Sequence, residues 1–425
     1  MFCVKTLIQY GWIVDPATGW NTMGNILIED GKVAAISGQP QKADKVIDAM
    51  GLVVAPGLVD MHVHLREPGF EYKETVETGC AAAARGGVTT LVAMGNTKPV
   101  TDSPELVKLV MDKAQNTGVN VLPVGAVTAG MKGETLTDFA ALKEAGVPAL
   151  SDDGVPIQDE ELLRQAFLKA KELGMVILDH CEDKELVQNY AVNAGPVAEQ
   201  LGLPGRPAIA EEMQVERDAR LAEETGARVH ICHVSTAKSV DIIRQAKKRG
   251  VQITCETCPQ YFTLTEQAVL EKGSLARVNP PLRTDEDVKG IIEGLLDGTI
   301  DAIVTDHAPH SAEEKAKPLA EAPSGMVGLE TSLALTLNGL YHTGKMPLPW
   351  IIAKMSAAPA MILGLNKGNL AVGSDADLVI FDPDEEWTID PEQFASKGRN
   401  TPFGGMKVTG KVKYTISNGN VIYKD

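Results

Sequence analysis

Leu58-Val59-Asp60-Met61-His62-Val63-His64 decides how this chain is read. The run is short and mostly apolar, as expected for a parallel strand buried on both faces. His62 and His64 stand two apart, so both side chains leave the same face near the strand's C-terminal end. Seven more runs of this kind follow: Val88–Met94, Val119–Val127, Val147–Ser151, Met175–His180, Val229–Val234, Val251–Cys255 and Ala302–Thr305. Segments with helical period separate them, among them Thr75–Arg85, Ser103–Asn116, Asp159–Leu173, Ala208–Thr225 and Thr236–Arg249. Gly86, Gly118, Gly146, Gly174, Gly226 and Gly250 stand where helices should stop. Eight such βα units predict an α/β fold, a (β/α)8 barrel of the TIM type. An open doubly wound sheet would carry a phosphate loop, and neither GxGxxG nor GxxxxGK[ST] occurs.

The two chain ends read differently. Residues 1–56 contain Asn25-Ile-Leu-Ile-Glu29 and Lys32-Val-Ala-Ala-Ile-Ser37 around Asp30-Gly31, and residues 366–425 contain similar alternating runs around Asn418-Gly419. Asp-Gly and Asn-Gly are hairpin signals. Neither end holds enough strands to stand alone, so 1–56 and 366–425 are expected to build one small sandwich-like β-domain beside a barrel of residues 57–365. The charged stretch Ser311–Pro323 has no strand pattern and reads as a loop over the site, a candidate lid.

Composition limits the partners. The chain has 425 residues, 44% hydrophobic and 23% charged, with a formal net charge of −17. Nucleic-acid binding needs a positive footprint, so none is expected. Lys5, Gln9 and Asp15 interrupt any signal-like apolar core in Met1–Trp20, and no apolar run is long enough to span a bilayer. The six cysteines do not suggest a disulfide framework. These features together predict a cytoplasmic protein. Cys255 and Cys258 have CxxC spacing but no second pair, and they close a strand rather than open a helix, so ordinary buried thiols are expected.

Six of the eight histidines fall at the C-terminal ends of predicted strands, where barrel active sites lie. His62 and His64 close the first strand, His180 the fifth and His233 the sixth, while Asp306, His307 and His310 follow the eighth. Asp152 and Asp153 follow the fourth. A lone histidine is more often a hydrogen-bonded core residue, which is the reading for His230 and His342. Four imidazoles and a carboxylate at one end of one barrel are a metal site, suited to Zn²⁺, Co²⁺ or Mn²⁺. Asp60 lies deeper and is expected to be a buried structural carboxylate.

At these residues the chain resembles the amidohydrolase superfamily and, within it, the bacterial type I dihydroorotases. The resemblance covers essentially the whole chain. It is carried by Pro56-Gly-Leu-Val-Asp-Met-His-Val-His-Leu-Arg-Glu-Pro-Gly69, Val304-Thr-Asp-His-Ala-Pro-His310 and Gly373-Ser-Asp-Ala-Asp-Leu-Val379. It implies two zinc ions per chain, with His62, His64 and Asp306 on one, His180 and His233 on the other, and a bridging side chain. Hydantoinases and allantoinases bridge with a carboxylated lysine at the end of the fourth strand. Pro148–Ile157 contains no lysine, which leaves an aspartate, with Asp153 favoured over Asp152. The resemblance further implies that Arg66, Asn96 and His310 hold the substrate carboxylate, that Asn279 touches the ring, and that backbone at Ser324 and Gly325 contributes. Gly95 precedes Asn96 where relatives usually carry Pro or Ala, and Ser324 stands where many carry Phe.

The implied reaction is the reversible opening of dihydroorotate to N-carbamoyl aspartate in pyrimidine biosynthesis. Two metals polarise the ring carbonyl and acidify a shared hydroxide-forming water, and Asp306 moves the proton to the leaving nitrogen. Ring closure consumes a proton, so acid pH favours the ring. An allantoinase or hydantoinase is the nearest alternative, but those rings need no carboxylate clamp such as Arg66. A non-catalytic scaffold for aspartate transcarbamoylase is an alternative of another class. Such scaffolds tend to lose ligand histidines, and this chain keeps all four. A homo-oligomer is expected, and a transcarbamoylase association stays open.

Overall fold

A computed structural model describes residues 4–425; the first three residues of the Met1–Trp20 stretch lie outside the described residues. The eight predicted strand positions all form strands, at Leu58–Val63, Val88–Ala93, Asn120–Pro123, Ala149–Leu150, Val176–Asp179, Arg228–Ile231, Ile253–Thr257 and Ala302–Ile303. Each pairs in parallel with its sequence neighbour, the first three in one sheet and the last five in another. Parallel bridges Gly125↔Leu150 and Val63↔His307 join the two sheets at both seams, so the path of pairing returns to the first strand. The fourth and eighth strands are only two residues long because the chain turns early into site loops at Ser151 and Val304.

The helices form where period and caps agree. Thr75 and Thr236 cap Val76–Arg85 and Ala237–Lys248 through their side-chain oxygens, and Asp159 caps Glu160–Glu172. Ile209–Thr225 ends on left-handed Gly226. Alternation along the strands then divides the core. On the fifth strand Ile177 packs outward with Leu163, Phe167 and Val215 from the helices, while Val176 and Leu178 join Met61, Val92 and Val304.

Both chain ends enter one eight-stranded sheet, in which Val53–Pro56 pairs antiparallel with Leu378–Thr388. Asp30-Gly31 and Asn418-Gly419 have φ of +52°, +73°, +47° and +77°, the conformation that a two-residue hairpin requires. No helix among the described residues is long and apolar enough to cross a membrane. Cys255 and Cys258 are free buried thiols, and Cys255 donates to the Thr299 carbonyl at 3.3 Å.

Candidate metal centre

The strand ends bring His62, His64, Asp153, His180, His233 and Asp306 together around one point. Asp153 Oδ1 lies 3.6 Å from His62 Nε2, 3.4 Å from His180 Nδ1 and 3.5 Å from His233 Nε2. Its Oδ2 lies 3.6 Å from His64 Nε2. Asp306 Oδ1 is 3.0 Å from His64 Nε2 and 3.7 Å from His62 Nε2. His180 Nδ1 and His233 Nε2 meet at 2.8 Å. The carboxylate of Asp153 therefore faces both histidine pairs at once.

Asp152, its neighbour, turns away. Its Oδ1 accepts from the backbone N–H groups of Val127 and Thr128 at 2.8 and 3.1 Å, and its Oδ2 accepts from the Thr128 hydroxyl. It ties the loop after the third strand to that after the fourth. Gly154 adopts φ +79°, and an added Cβ there would meet Asn96 only at an ordinary 3.5 Å. The turn after Asp153 thus needs glycine for its backbone conformation rather than for space.

These residues fit a metal cofactor. His62 Nε2 and Asp153 Oδ1 are fully buried and have no hydrogen-bond partner, although both point into the cluster. A buried polar atom left unpaired costs about 1–3 kcal/mol, so two such atoms aimed at each other's site call for a ligand of opposite charge. Imidazole and carboxylate are the donors that zinc and its neighbours accept. Burial would raise the Asp153 carboxyl, but His62, His180 and His233 hold it well below the usual range, so it faces the site as an anion. Among the described residues, three of the eight non-glycine residues with positive φ, Arg66, His233 and Asp306, belong to this site. Such conformations cost about 1–3 kcal/mol each and persist where surrounding structure holds them.

The outer nitrogens of three of the rings also face polar partners, while His233 Nδ1 is buried without one. His62 Nδ1 lies 2.6 Å from Glu256 Oε1, and His64 Nδ1 lies 3.0 Å from Asn96 Oδ1. His180 Nε2 faces Asn279 Nδ2 at 3.3 Å and Glu182 Oε2 at 3.6 Å. Arg206 donates to both Glu182 and Asn279 Oδ1, which turns the amide nitrogen of Asn279 toward His180. Sequence reading missed Glu256, Glu182 and Arg206. Only Glu256 carried a usable signal, a charged residue at the C-terminal end of an otherwise apolar barrel strand.

A cavity of about 210 Å³ opens above the cluster and is lined by Arg66, Asn96, Asn279, His310, Ser324 and Gly325, together with every expected metal ligand but His62. Arg66 donates through Nε to the Pro309 carbonyl at 3.2 Å, which aims its guanidinium along the cavity wall. Asn96 spends its oxygen on His64 and its Nδ2 on the Asp153 carbonyl at 3.3 Å. His310 donates from Nε2 to the Ser324 carbonyl at 2.8 Å, and its Nδ1 accepts from Lys73 at 3.3 Å. Burial, with Arg66, Lys73 and Lys315 nearby, pushes its pKa down to about 2, so the ring stays neutral. Gly325 sits at φ +135°, and a Cβ there would come within 2.8 Å of Ala308 Cβ and 2.9 Å of the Ala308 carbonyl. Its N–H donates to the Arg277 carbonyl, and its own carbonyl accepts from Lys315 and Asn400. Gly325 therefore shapes the wall, with its backbone groups already paired.

The stretch Ser311–Pro323 is anchored at its start. Ser311 caps the turn Ala312–Lys315, Glu314 pairs with Lys73 at 3.0 Å, and buried Lys315 donates to the carbonyls of Pro323 and Gly325 at 3.0 Å each.

Asp60, His230 and His342 are hydrogen-bonded elsewhere. Asp60 accepts from the backbone of His62 and Thr305, and burial pushes its carboxyl up to about 6. His342 Nε2 donates to the Pro383 carbonyl at 2.9 Å. His230 lies between Thr254 Oγ1 at 2.8 Å and Glu256 Oε2 at 3.1 Å.

Known proteins resemble this chain in sequence and fold. Residues 51–239 match a family model described as dihydro-orotase-like, and residues 321–423 match one described as an amidohydrolase family. A dihydroorotase of Clostridioides difficile is 48% identical over 98% of this chain and 99% of its own length. One from Pelotomaculum thermopropionicum is 49% identical over 99% of each. Among solved structures, the L-hydantoinase of Arthrobacter aurescens aligns with a TM-score of 0.89 at 29% identity, covering 99% of this chain and 96% of that one. A D-hydantoinase from a Thermus species aligns with a TM-score of 0.86 at 27% identity, over 99% and 95%. The hydantoinases share the fold at lower identity, whereas the relatives that match about half of all residues from end to end carry one name, and the chain belongs to the dihydroorotase family of the amidohydrolases.

Proposed function

We propose that the chain hydrolyses the cyclic amide of (S)-dihydroorotate to N-carbamoyl-L-aspartate, and runs the same step backwards in pyrimidine synthesis. One observation carries this reading: Asp153 faces both histidine pairs, and Arg66 lines the same cavity. His62, His64 and Asp306 would hold one zinc ion and His180 and His233 the other, with Asp153 shared between them. When bound, such a pair polarises a carbonyl and lowers the pKa of water to about 7.

The chain's own residues do the rest. Arg66 offers a planar, always-charged fork to the substrate carboxylate, which orients the ring over the site. Asn96 holds His64, and Asn96 and Asn279 form the sides of the cavity. His310, kept neutral, fixes the Ser324 wall beside Arg66. Asp306 takes the proton of the attacking water and hands it to the leaving ring nitrogen. In the closing direction it accepts the ureido N–H proton and returns it to the departing oxygen.

Turnover of the isolated chain with dihydroorotate, allantoin and hydantoin tests the assignment. Dihydroorotate alone should be opened, activity should vanish on metal removal, and zinc should restore it. Full turnover in verified metal-free protein, or preference for allantoin or hydantoin, overturns the reading. The same assay on the chain alone decides whether a transcarbamoylase partner is needed.

Arg66→Lys keeps the charge but loses the fork. Hydrogen bonds between charged groups contribute about 1.5–3 kcal/mol, so kcat/KM for dihydroorotate should fall about 10- to 100-fold. Unchanged kcat/KM in Arg66→Ala puts the carboxylate clamp elsewhere.

A further inference from the structure

Between the buried thiols of Cys255 and Cys258 stands Glu256. It lies on the seventh barrel strand, Ile253–Thr257, and is 1% exposed. Its Oε1 lies 2.6 Å from His62 Nδ1 and accepts from the backbone N–H of His233 at 3.4 Å. Its Oε2 lies 3.1 Å from His230 Nε2. One buried carboxylate thus touches a member of each histidine pair, through a ring in one case and the backbone in the other.

A histidine that gives one ring nitrogen to a metal carries its proton on the other nitrogen, which then needs an acceptor. The acceptor at His62 Nδ1 is Glu256 Oε1, and the opposite nitrogen is the orphaned Nε2 that points at Asp153. This acceptor is charged, so it also strengthens the donor nitrogen on the far side of the ring. His230 secures the carboxylate from below, braced by its second nitrogen against Thr254 Oγ1 at 2.8 Å.

We propose that Glu256 is a positioning residue for metal capture: it aims the His62 ring, sets its donor strength, and holds the end of the sixth strand at His233. The inference rests on the reading of His62 as a metal ligand. It assigns a role to the seventh strand, which contributes none of the expected ligands.

The test is zinc affinity of purified Glu256→Gln and Glu256→Leu, measured by competition with a chromophoric chelator, together with thermal stability and the absorption spectrum of the Co²⁺-loaded proteins. Loss of an outer partner of this kind typically weakens metal binding about 10- to 100-fold, and Glu256→Leu should lie in that range. Glutamine keeps an acceptor for His62 and offers its amide to His230, so Glu256→Gln should fall between wild type and Glu256→Leu. Both should alter the cobalt spectrum.

A role confined to packing would lower stability and leave the affinity of the folded protein unchanged, which overturns the proposal. If Glu256→Leu does not fold, wild-type affinity in Glu256→Gln overturns it equally. His62→Asn, measured beside them, separates the two readings. If it keeps both metals, the ligand assignment itself fails; if it loses metal while the Glu256 variants do not, only the positioning role fails.

Discussion

Asp153→Ala should fold but lose bound metal, and its activity should fall to background. Asp153 presents Oδ1 to His62, His180 and His233 and Oδ2 to His64, so its removal takes away the carboxylate that faces ring nitrogens of both histidine pairs. Asp152→Ala behaves in the opposite way. Its carboxylate serves Val127 and Thr128, so the variant should lose about 2–4 kcal/mol of stability as those buried donors are orphaned, while metal content stays near wild type. Metal analysis and thermal melts of the two variants side by side decide the matter, and metal loss confined to Asp152→Ala reverses the assignment.

By the same geometry, metal reconstitution should be independent of bicarbonate. Carboxylated-lysine centres need CO₂ for assembly, and the fourth-strand end supplies only Ser151, Asp152 and Asp153. The nearest preceding lysine, Lys143, lies on the helix Phe139–Glu144 and spends its ammonium on the Leu173 carbonyl at 2.6 Å. A bicarbonate requirement, or a carboxylated lysine found between the metals, returns the chain to the hydantoinase pattern.

Asp306→Asn should keep most of the metal and lose about 10²- to 10⁴-fold in kcat, the usual worth of a positioned proton carrier. Burial would raise the Asp306 carboxyl, but His64 and His62 beside it hold it below the ordinary range, so it faces the cavity ionised, as the proposed base must. The amide retains an oxygen for the site but cannot accept the proton of the attacking water. Parallel measurement of kcat and bound metal distinguishes a lost shuttle from a lost ion. Near-normal kcat assigns the proton to another group, and His310 is a poor candidate because its Nδ1 already accepts from Lys73 and its Nε2–H is held by Ser324.

Local information sufficed for the eight strands, the helices between them, and the histidines at their ends. Those features depend on side-chain period, capping residues and the sequence position of each ligand, all readable within a dozen residues. The hairpins at Asp30-Gly31 and Asn418-Gly419 were legible for the same reason, since few other pairs accept positive φ twice in a row.

What lay beyond the sequence was the direction in which each group points. Asp152 and Asp153 are adjacent and chemically identical. Only the turn at Ser151 and the Thr128 loop, which captures the first of them, send the second toward the histidines. The partners of the rings were equally hidden, because Glu256 meets His62 across 194 residues and Asp306 meets His64 across 242. Asn96, expected as a substrate contact, has both ends of its amide engaged by His64 and Asp153. A sequence states which donors and acceptors exist. Which of them pair is decided by closure of the barrel, because burial forces each polar group to take the partner that the opposite strand brings within reach.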